Sequence, residues 1–234
     1  MLRQENDVSQ APEKTMIALK EYFKKGFRDW RHELFEYRYL ILLSLIIVAG
    51  ATFLDYYSGV YVSTTKVAYV PDLILDHIGP VDVGFFYVYG YLTLCFTLFL
   101  YSLLLHIRTL HVVVSQFSFL VMLRAVFVVL THLQTPPDGI QVSFPWIFQG
   151  ISFQNDMFFS GHTAIPFLGF LLFDGKIRYF FLCGSISMGI VVLLMHLHYS
   201  IDVFSAFFIT YCCHKIGNIV LDKIEPHIKR QLPS

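Results

Sequence analysis

Charged residues are scarce in this chain: Asp, Glu, Lys and Arg make up 15% of its 234 residues, whereas hydrophobic residues make up 56%. Soluble domains carry about 25% charged residues, so the composition excludes an ordinary soluble protein. The formal net charge is zero, and we expect no nucleic-acid partner, because binding to a phosphate backbone requires a basic surface. The sequence therefore predicts an integral membrane protein.

Cysteine is also rare. All of the cysteines lie inside apolar runs and lack the spacing of metal ligands, so we expect buried structural thiols that form no disulfide. They are Cys95, Cys183, Cys212 and Cys213. No signal peptide is expected either, because the N-terminal residues are polar and charged. We expect neither a metal nor another cofactor, and we expect the internal spans to drive insertion into the membrane.

Six apolar runs follow the N-terminal segment, and a membrane-spanning helix needs about 20 residues. The first and fourth runs are short, but tyrosines extend the first, and the fourth begins at a histidine motif, where polar backbone can line a wet pocket. We predict an all-α, polytopic membrane protein with six transmembrane helices in one domain, residues 39–220, followed by a cytoplasmic tail, 221–234. The runs cover 39–54, 83–105, 112–131, 160–173, 179–195 and 201–220.

The segment 1–38 is basic and partly apolar. Its lysines and arginines are interleaved with apolar residues, several of which recur at three- and four-residue steps. This pattern predicts an amphipathic helix from about Pro12. We expect the helix to lie along the membrane surface; a solvated helix or a frayed tail is the alternative.

The basic residues also predict the orientation in the membrane. With the N-terminus in the cytoplasm, all of the 17 Lys and Arg residues except Lys66 and Arg124 lie on the cytoplasmic side or near it. We therefore expect both termini in the cytoplasm. In this orientation His162 and His198 both lie at the exoplasmic or luminal ends of their spans, where they can meet. The membrane could be that of the Golgi, the ER, the cell surface or a bacterial inner membrane.

His198 and Asp202 are four residues apart. If a helix begins near Tyr199, the carboxylate lies one turn from the imidazole on the same face. A carboxylate in that position fixes the tautomer of the imidazole and stabilises the positive charge that develops when the other ring nitrogen attacks. The spacing therefore predicts an oriented histidine nucleophile; a polar pair that merely solvates itself at the end of a span is the alternative.

The second histidine lies in the motif Ser160-Gly161-His162-Thr163. The glycine allows close approach of the backbone at the start of a helix, and N–H groups in the first turn of a helix can bind a phosphate. On its own this motif is weak. Combined with His198 and Asp202 one hairpin later, on the same side of the membrane, it indicates phosphate chemistry.

These motifs resemble the sphingomyelin synthase branch of the PAP2-type lipid phosphatase and phosphotransferase superfamily, enzymes of six spans with two histidines and an aspartate at the exoplasmic face. The family motif C-G-D-x-x-x-S-G-H-T is matched from Asp156 to Thr163 without its Cys-Gly. The motif H-Y-T-x-D-V-x-x-A-Y is matched from His198, with Ser200 for Thr and Phe207 for the final Tyr.

Two earlier segments extend the resemblance over most of residues 39–215. Pro71-Asp72-Leu73 with Asp76 resembles the stretch after the family's first span, and Leu123-Arg124 resembles its arginine-bearing third span. The resemblance implies that His198 is the nucleophile, that His162 is the general acid and base, and that Asp202 orients His198. Contacts to the substrate phosphate or head group would come from Arg124, Asp156, Ser160 and Gly161. Asp156 could instead accept a hydrogen bond from His162, or be an ordinary loop carboxylate.

The departures from the superfamily favour one reaction. Its phosphatases carry a K-x6-R-P motif, which we do not find, and an arginine six residues before the second histidine, where this chain has Val192. A dianionic monoester would be poorly neutralised, whereas Arg124 could serve a singly charged diester. We therefore expect transfer of phosphocholine or phosphoethanolamine from a glycerophospholipid in the bilayer to ceramide, with release of diacylglycerol. Whether the enzyme forms a homo-oligomer is left open.

Other functions are kept as alternatives. Water in place of ceramide would make a phospholipase C, and a lipid phosphatase of the same superfamily is a further option. A membrane zinc hydrolase, such as a ceramidase, would need His196 beside His198 in a non-helical turn; we expect His196 to be an interface histidine instead. A non-enzymatic lipid transporter would not need Asp202. His132 is a weaker candidate for a phosphate contact.

Overall fold

The computed structural model describes the backbone of residues 5–145, 153 and 155–231, and the side chains of the same residues except 5–24, 225 and 227–231. Much of the predicted amphipathic face and most of the predicted tail therefore lie outside the described side chains. Over the described residues the backbone is helical throughout the segment predicted to be an amphipathic helix. Whether that helix lies on the membrane surface stays a prediction.

The predicted all-α class is confirmed, since the described residues contain helices and no strand. Five helices are long and apolar enough to cross a membrane, as expected of a multi-pass membrane protein. α4 is shorter: its 12 residues extend about 18 Å, less than the roughly 30 Å of a hydrocarbon core, so six full spans stay a prediction. The helices are α1 (Glu5–Thr64), α2 (Tyr91–Leu105), α3 (Ile107–Leu130), α4 (Gly161–Leu172), α5 (Lys176–Leu194) and α6 (Ser200–Gln231), with a 3-10 turn at Leu75–His77 and a π-helical turn at Phe86–Gly90.

The first helix is longer than the apolar run 39–54 predicts. α1 continues past Leu54, through Asp55, and ends at Thr64. A carboxylate can lie inside this helix because it is paired with an arginine of α3, as described below. α1 also passes residue 38 without a break, and α6 passes residue 220, so the division of the chain at these two positions stays a prediction.

Successive helices alternate in direction, and the loops at one end of the bundle are joined by backbone hydrogen bonds. We call this the site end; α1, α3 and α5 end there, and α2, α4 and α6 begin there. The N–H of Ala68 donates to the carbonyl of His132 at 3.0 Å, and the N–H of Val81 donates to the carbonyl of Leu194 at 2.7 Å. The segments before α2 and after α1 are thereby held against the ends of α5 and α3.

The opposite end of the bundle is held by α1. The indole N–H of Trp30 donates to the carbonyl of Leu103 at the end of α2 at 2.7 Å. Glu33 forms an ion pair with Arg108 at the start of α3, at 2.8 Å. α1 therefore runs parallel to α3 along the whole bundle, which positions Asp55 beside the end of α3.

The core lies between α2, α3, α4, α5 and α6. Leu98, Leu168 and Phe181 are completely buried in it. The expectation that every cysteine is buried is wrong for Cys183 and Cys212, which are exposed on the outside of their helices. In a membrane bundle the outer surface of a span faces lipid rather than water, so a thiol need not be buried in protein to avoid water.

Candidate active site

His198 and Asp202 are in contact, as their spacing predicts. Nδ1 of His198 lies 3.1 Å from Oδ2 of Asp202, and the same oxygen accepts the backbone N–H of Tyr199 at 3.1 Å. α6 begins at Ser200, so the histidine lies just before the helix and the aspartate lies in its first turn. Because a carboxylate only accepts, Nδ1 donates and Nε2 carries the free lone pair. Asp202 is completely buried, which limits competition from water.

His162 is the second residue of α4, and the rings of two tyrosines pack against it. The rings of His162 and Tyr87 stack with centroids 4.3 Å apart and planes 19° apart, and the Tyr91 ring lies 4.1 Å away. Nε2 of His162 is buried and has no hydrogen-bond partner among the described residues. A buried imidazole nitrogen without a partner is costly in a structural residue, which favours a role in which a substrate supplies the partner.

The two histidines line one cavity of about 270 Å³ at the site end. This volume lies near the lower limit of small-molecule sites, which span roughly 300–1,000 Å³. Arg124, Asp156 and Gly161 line the same cavity, together with an aspartate that the sequence did not single out, Asp55. The aromatic residues in its wall are Tyr56, Tyr87, Tyr91, Phe117, Phe144 and Phe153.

Arg124 is bound by two carboxylates. Its Nη2 lies 2.8 Å from Oδ2 of Asp156, its Nη1 lies 3.3 Å from Oδ1 of Asp55, and its Nε donates to the carbonyl of Phe159 at 3.3 Å. Asp156 therefore pairs with Arg124, whereas the sequence left open a hydrogen bond from His162. With both carboxylates ionised the cluster carries a net negative charge, so a phosphate that approaches the guanidinium also approaches two like charges.

The start of α4 is tied to α6 through the main chain. Ser160 is completely buried, and its N–H donates to the carbonyl of Asp202 at 3.1 Å. Its hydroxyl oxygen accepts a hydrogen bond from Thr163 at 3.4 Å. A Cβ added to Gly161 would lie 3.4 Å from Nε of Arg124, in ordinary contact. Ser160 thus positions the motif, and Gly161 brings the backbone next to Arg124.

His196 and His132 lie outside this cavity. Nδ1 of His196 lies 2.9 Å from Oδ2 of Asp138, and both residues line a separate cavity of about 360 Å³. His196 has φ of 53°, so the turn before His198 is non-helical, but the ring is directed to Asp138. His132 is exposed beside Tyr61, with ring centroids 5.9 Å apart. In the described part of the chain, no three His, Cys, Asp or Glu side chains are grouped closely enough to hold a metal ion.

Asp72 holds the histidine turn from a distant loop. Its Oδ2 accepts the N–H and the hydroxyl of Ser200 at 2.7 and 2.9 Å, and its Oδ1 accepts the N–H groups of Ile74 and Leu75 at 2.9 and 3.1 Å. Burial raises the pKa of Asp72, but the hydrogen bonds from Leu75, Ser200 and Ile74 outweigh burial and lower the pKa below its ordinary value. Asp72 therefore caps the start of α6 at Ser200, which lies two residues after His198.

Val192 lies in the core rather than in the cavity wall. It is completely buried and packs in a cluster with Tyr87, Phe144 and Val203. An arginine at this position would have to replace that packing. The environment of Val192 is therefore apolar, in keeping with the absence of the phosphatase arginine at this position.

Asp55 is the main residue of the site that the sequence did not indicate, and one signal could have found it. Arg124 lies inside an apolar span, and a buried charge in a membrane span requires a partner. Comparison with known proteins adds no further guidance: no family model, no curated protein and no solved structure matches the chain.

Proposed function

We propose that this protein is a membrane phosphotransferase, which moves the phospho-head group of a glycerophospholipid to ceramide through a phosphohistidine intermediate and releases diacylglycerol. The observation that carries the proposal is the contact between His198 and the buried Asp202, with His198 and His162 lining one cavity. Together these residues provide a nucleophile, a group that orients it and a second histidine for proton transfer.

In the first half of the reaction, Nε2 of His198 attacks the phosphorus of the donor. The bond between phosphorus and the glycerol oxygen breaks, and His162 gives its proton to that oxygen, so that diacylglycerol leaves. Asp202 keeps Nδ1 of His198 protonated and stabilises the positive charge on the ring. The ring of Tyr87, stacked on His162, and the ring of Tyr91, tilted beside it, offer their faces to the cationic form of His162.

In the second half, His162 takes the proton from the primary hydroxyl of ceramide. The hydroxyl oxygen attacks the phosphorus, the bond between phosphorus and His198 breaks, and the head group is transferred. The enzyme returns to its starting protonation state. The choice of ceramide as the acceptor rests on the resemblance of the motifs to the sphingomyelin synthase branch.

The wall of the cavity favours a lipid acceptor over water. Aromatic and aliphatic side chains form most of it, and an apolar site that excludes water suppresses hydrolysis of a reactive intermediate. The orientation proposed from the basic residues puts the cavity on the exoplasmic or luminal side, with both termini in the cytoplasm.

The test is a lipid product assay with purified protein in mixed micelles. Phosphatidylcholine and phosphatidylethanolamine serve as separate donors and a fluorescent ceramide as the acceptor, with products separated by chromatography. We expect a new phosphosphingolipid that is lost in His162→Ala, His198→Ala and Asp202→Ala. His132→Ala is the matched control, because His132 is exposed outside the cavity, and should keep the activity.

The other outcomes would each replace the proposal. Release of diacylglycerol without a ceramide product would identify a phospholipase C. Hydrolysis of the ceramide amide that a chelator abolishes would identify a zinc hydrolase. Lipid transport by reconstituted protein, with no turnover that depends on His198, would identify a transporter.

A further inference from the structure

The charges around Arg124 do not suit a simple anion. Arg124 faces two carboxylates, those of Asp55 and Asp156, and the three side chains are only 15%, 21% and 15% exposed, respectively. A phosphate that entered alone would join two negative charges around a single positive one, in an environment where screening by water is weak. A ligand that carries its own positive charge would restore the balance.

Aromatic rings stand beside the carboxylates. Tyr56 follows Asp55 on α1, and its ring meets that of Phe153 edge to face, with centroids 5.5 Å apart. Phe153 packs against Gly59, one turn further along α1, where a Cβ would collide with its ring. Carboxylates and aromatic faces in one cavity are the surroundings in which proteins bind ammonium groups.

We propose that Asp55 is a specificity-determining residue, which with Asp156 and the Tyr56 ring binds the ammonium group of a zwitterionic head group. On binding, the phosphate takes the place of a carboxylate at Arg124, and the released carboxylate pairs with the ammonium. Both the released carboxylate and the incoming ammonium gain a partner, so the exchange leaves no buried charge unpaired. A head group without a cation, such as phosphoglycerol, would leave a carboxylate unpaired.

Primary and quaternary ammonium groups should use the site differently. The ammonium of phosphoethanolamine can donate hydrogen bonds to Asp55 and Asp156, whereas that of phosphocholine has no N–H group and depends more on aromatic faces. Loss of the Tyr56 ring should therefore weaken the binding of phosphocholine more than the binding of phosphoethanolamine. Loss of the Asp55 charge should weaken both.

The inference rests on the proposed function for what is then transferred, but binding can be measured without turnover. The full chain with His198→Ala, in a maltoside detergent, is titrated calorimetrically with dihexanoyl lipids below their micelle concentration. The head groups are phosphocholine, phosphoethanolamine and phosphoglycerol. We expect both ammonium lipids to bind about tenfold more tightly than the phosphoglycerol lipid, the size of one desolvated cation contact.

Asp55→Asn should abolish this preference, and Asp29→Asn should preserve it. Asp29 lies on the same helix and is exposed far from the cavity, so it is a matched control. Asp55→Asn leaves the ion pair between Arg124 and Asp156 in place, and we expect this variant to fold. If its melting temperature falls sharply, Tyr56→Leu is the test instead, and it should selectively lose phosphocholine binding.

Two results would overturn the inference. One is an equal or stronger affinity for phosphoglycerol in the parent protein. The other is an ammonium preference that survives both Asp55→Asn and Tyr56→Leu. Binding that depends on Asp55 in a protein without transferase activity would support the ammonium site and contradict the proposed function, so the two failures are distinguishable.

Discussion

The backbone N–H of Ser160 donates to the backbone carbonyl of Asp202 at 3.1 Å. This hydrogen bond joins the residue before α4 to the first turn of α6. His162 lies two residues after one partner, and His198 lies four residues before the other. The relative position of the two histidines is therefore held by the main chain, which is less free to move than long side chains and suits a site that must be preorganised.

Asp202→Asn should lower the rate of head-group transfer sharply. An amide can donate to Nδ1 of His198 and so stabilise the wrong tautomer, and it provides no charge opposite the imidazolium. A buried aspartate in an equivalent position of a triad contributes about 10⁴-fold to kcat, and we expect a loss of about 10³- to 10⁴-fold here. The measurement is the initial rate of head-group transfer at saturating lipid. A fall in the transfer rate of less than about tenfold, in an Asp202→Asn variant whose melting curve shows that it is folded, would contradict the assigned role.

Asp72→Asn should lower both stability and activity, although Asp72 lies outside the cavity. It caps α6 at Ser200, and loss of a cap costs about 1–2 kcal/mol. The resulting displacement of His198 should lower kcat by about ten- to a hundredfold, as misplacement of a reacting group by an ångström can do. Asp174→Asn, an exposed aspartate at the opposite end of the bundle, is the control and should change neither.

The stabilisation by Asp72 should depend on pH. Its pKa in the folded protein lies below the ordinary value of 3.8, so the folded state favours the ionised form. The stabilisation is therefore fully present above pH 3.8 and is lost as the pH falls through the lowered folded pKa. Melting temperatures of the parent and of Asp72→Asn should differ near neutrality and converge in acid. A difference that grows on acidification would contradict the hydrogen bonding of the carboxylate.

Phosphatidate should be a poor substrate. The position of the phosphatase arginine is Val192, buried in the core, so two or more charge-assisted contacts to a dianion are missing, at about 1.5–3 kcal/mol each. Release of inorganic phosphate should be at least about a hundredfold less efficient than head-group transfer, which corresponds to about 3 kcal/mol. Val192→Arg should destabilise the fold rather than create a phosphatase. Efficient release of phosphate from phosphatidate by the parent protein would contradict the preference for a diester.

The orientation in the membrane can be tested with single cysteines. In a background without the native cysteines, Leu73→Cys at the site end and Asp174→Cys at the other end are both exposed. A membrane-impermeant maleimide should label them from opposite sides of sealed vesicles, with N- and C-terminal tags on the side of Asp174→Cys. Labelling of both cysteines from one side, or tags on the side of Leu73→Cys, would contradict the alternating helices, and Leu73→Cys on the cytoplasmic side would reverse the orientation.

The part of the site that could be predicted from the sequence is the part set by the spacing of nearby residues. The contact between His198 and Asp202 follows from helix geometry, because residues four apart lie on one face. The meeting of His162 with His198 follows from alternating spans. Both are relationships along one helix or across one hairpin, where the sequence separation limits the geometry.

The rest depends on packing between distant parts of the chain. Asp55 follows the apolar run 39–54, and nothing in α1 itself shows that Arg124 would neutralise it. Asp72 belongs to a loop far from Ser200 in sequence, and only the fold brings its carboxylate to the start of α6. Charges that compensate each other across helices are not visible in hydrophobic patterns.

The most direct test of the central claim, that His198 carries the head group between two lipids, is an exchange reaction without ceramide. Purified protein is incubated with unlabelled phosphatidylcholine and with diacylglycerol that carries a labelled acyl chain, and the label in phosphatidylcholine is followed. A covalent intermediate can return its head group to diacylglycerol, so we predict labelled phosphatidylcholine with the parent protein and none with His198→Ala. No exchange in a preparation that transfers to ceramide, or exchange that persists in His198→Ala, would contradict a phosphohistidine at His198.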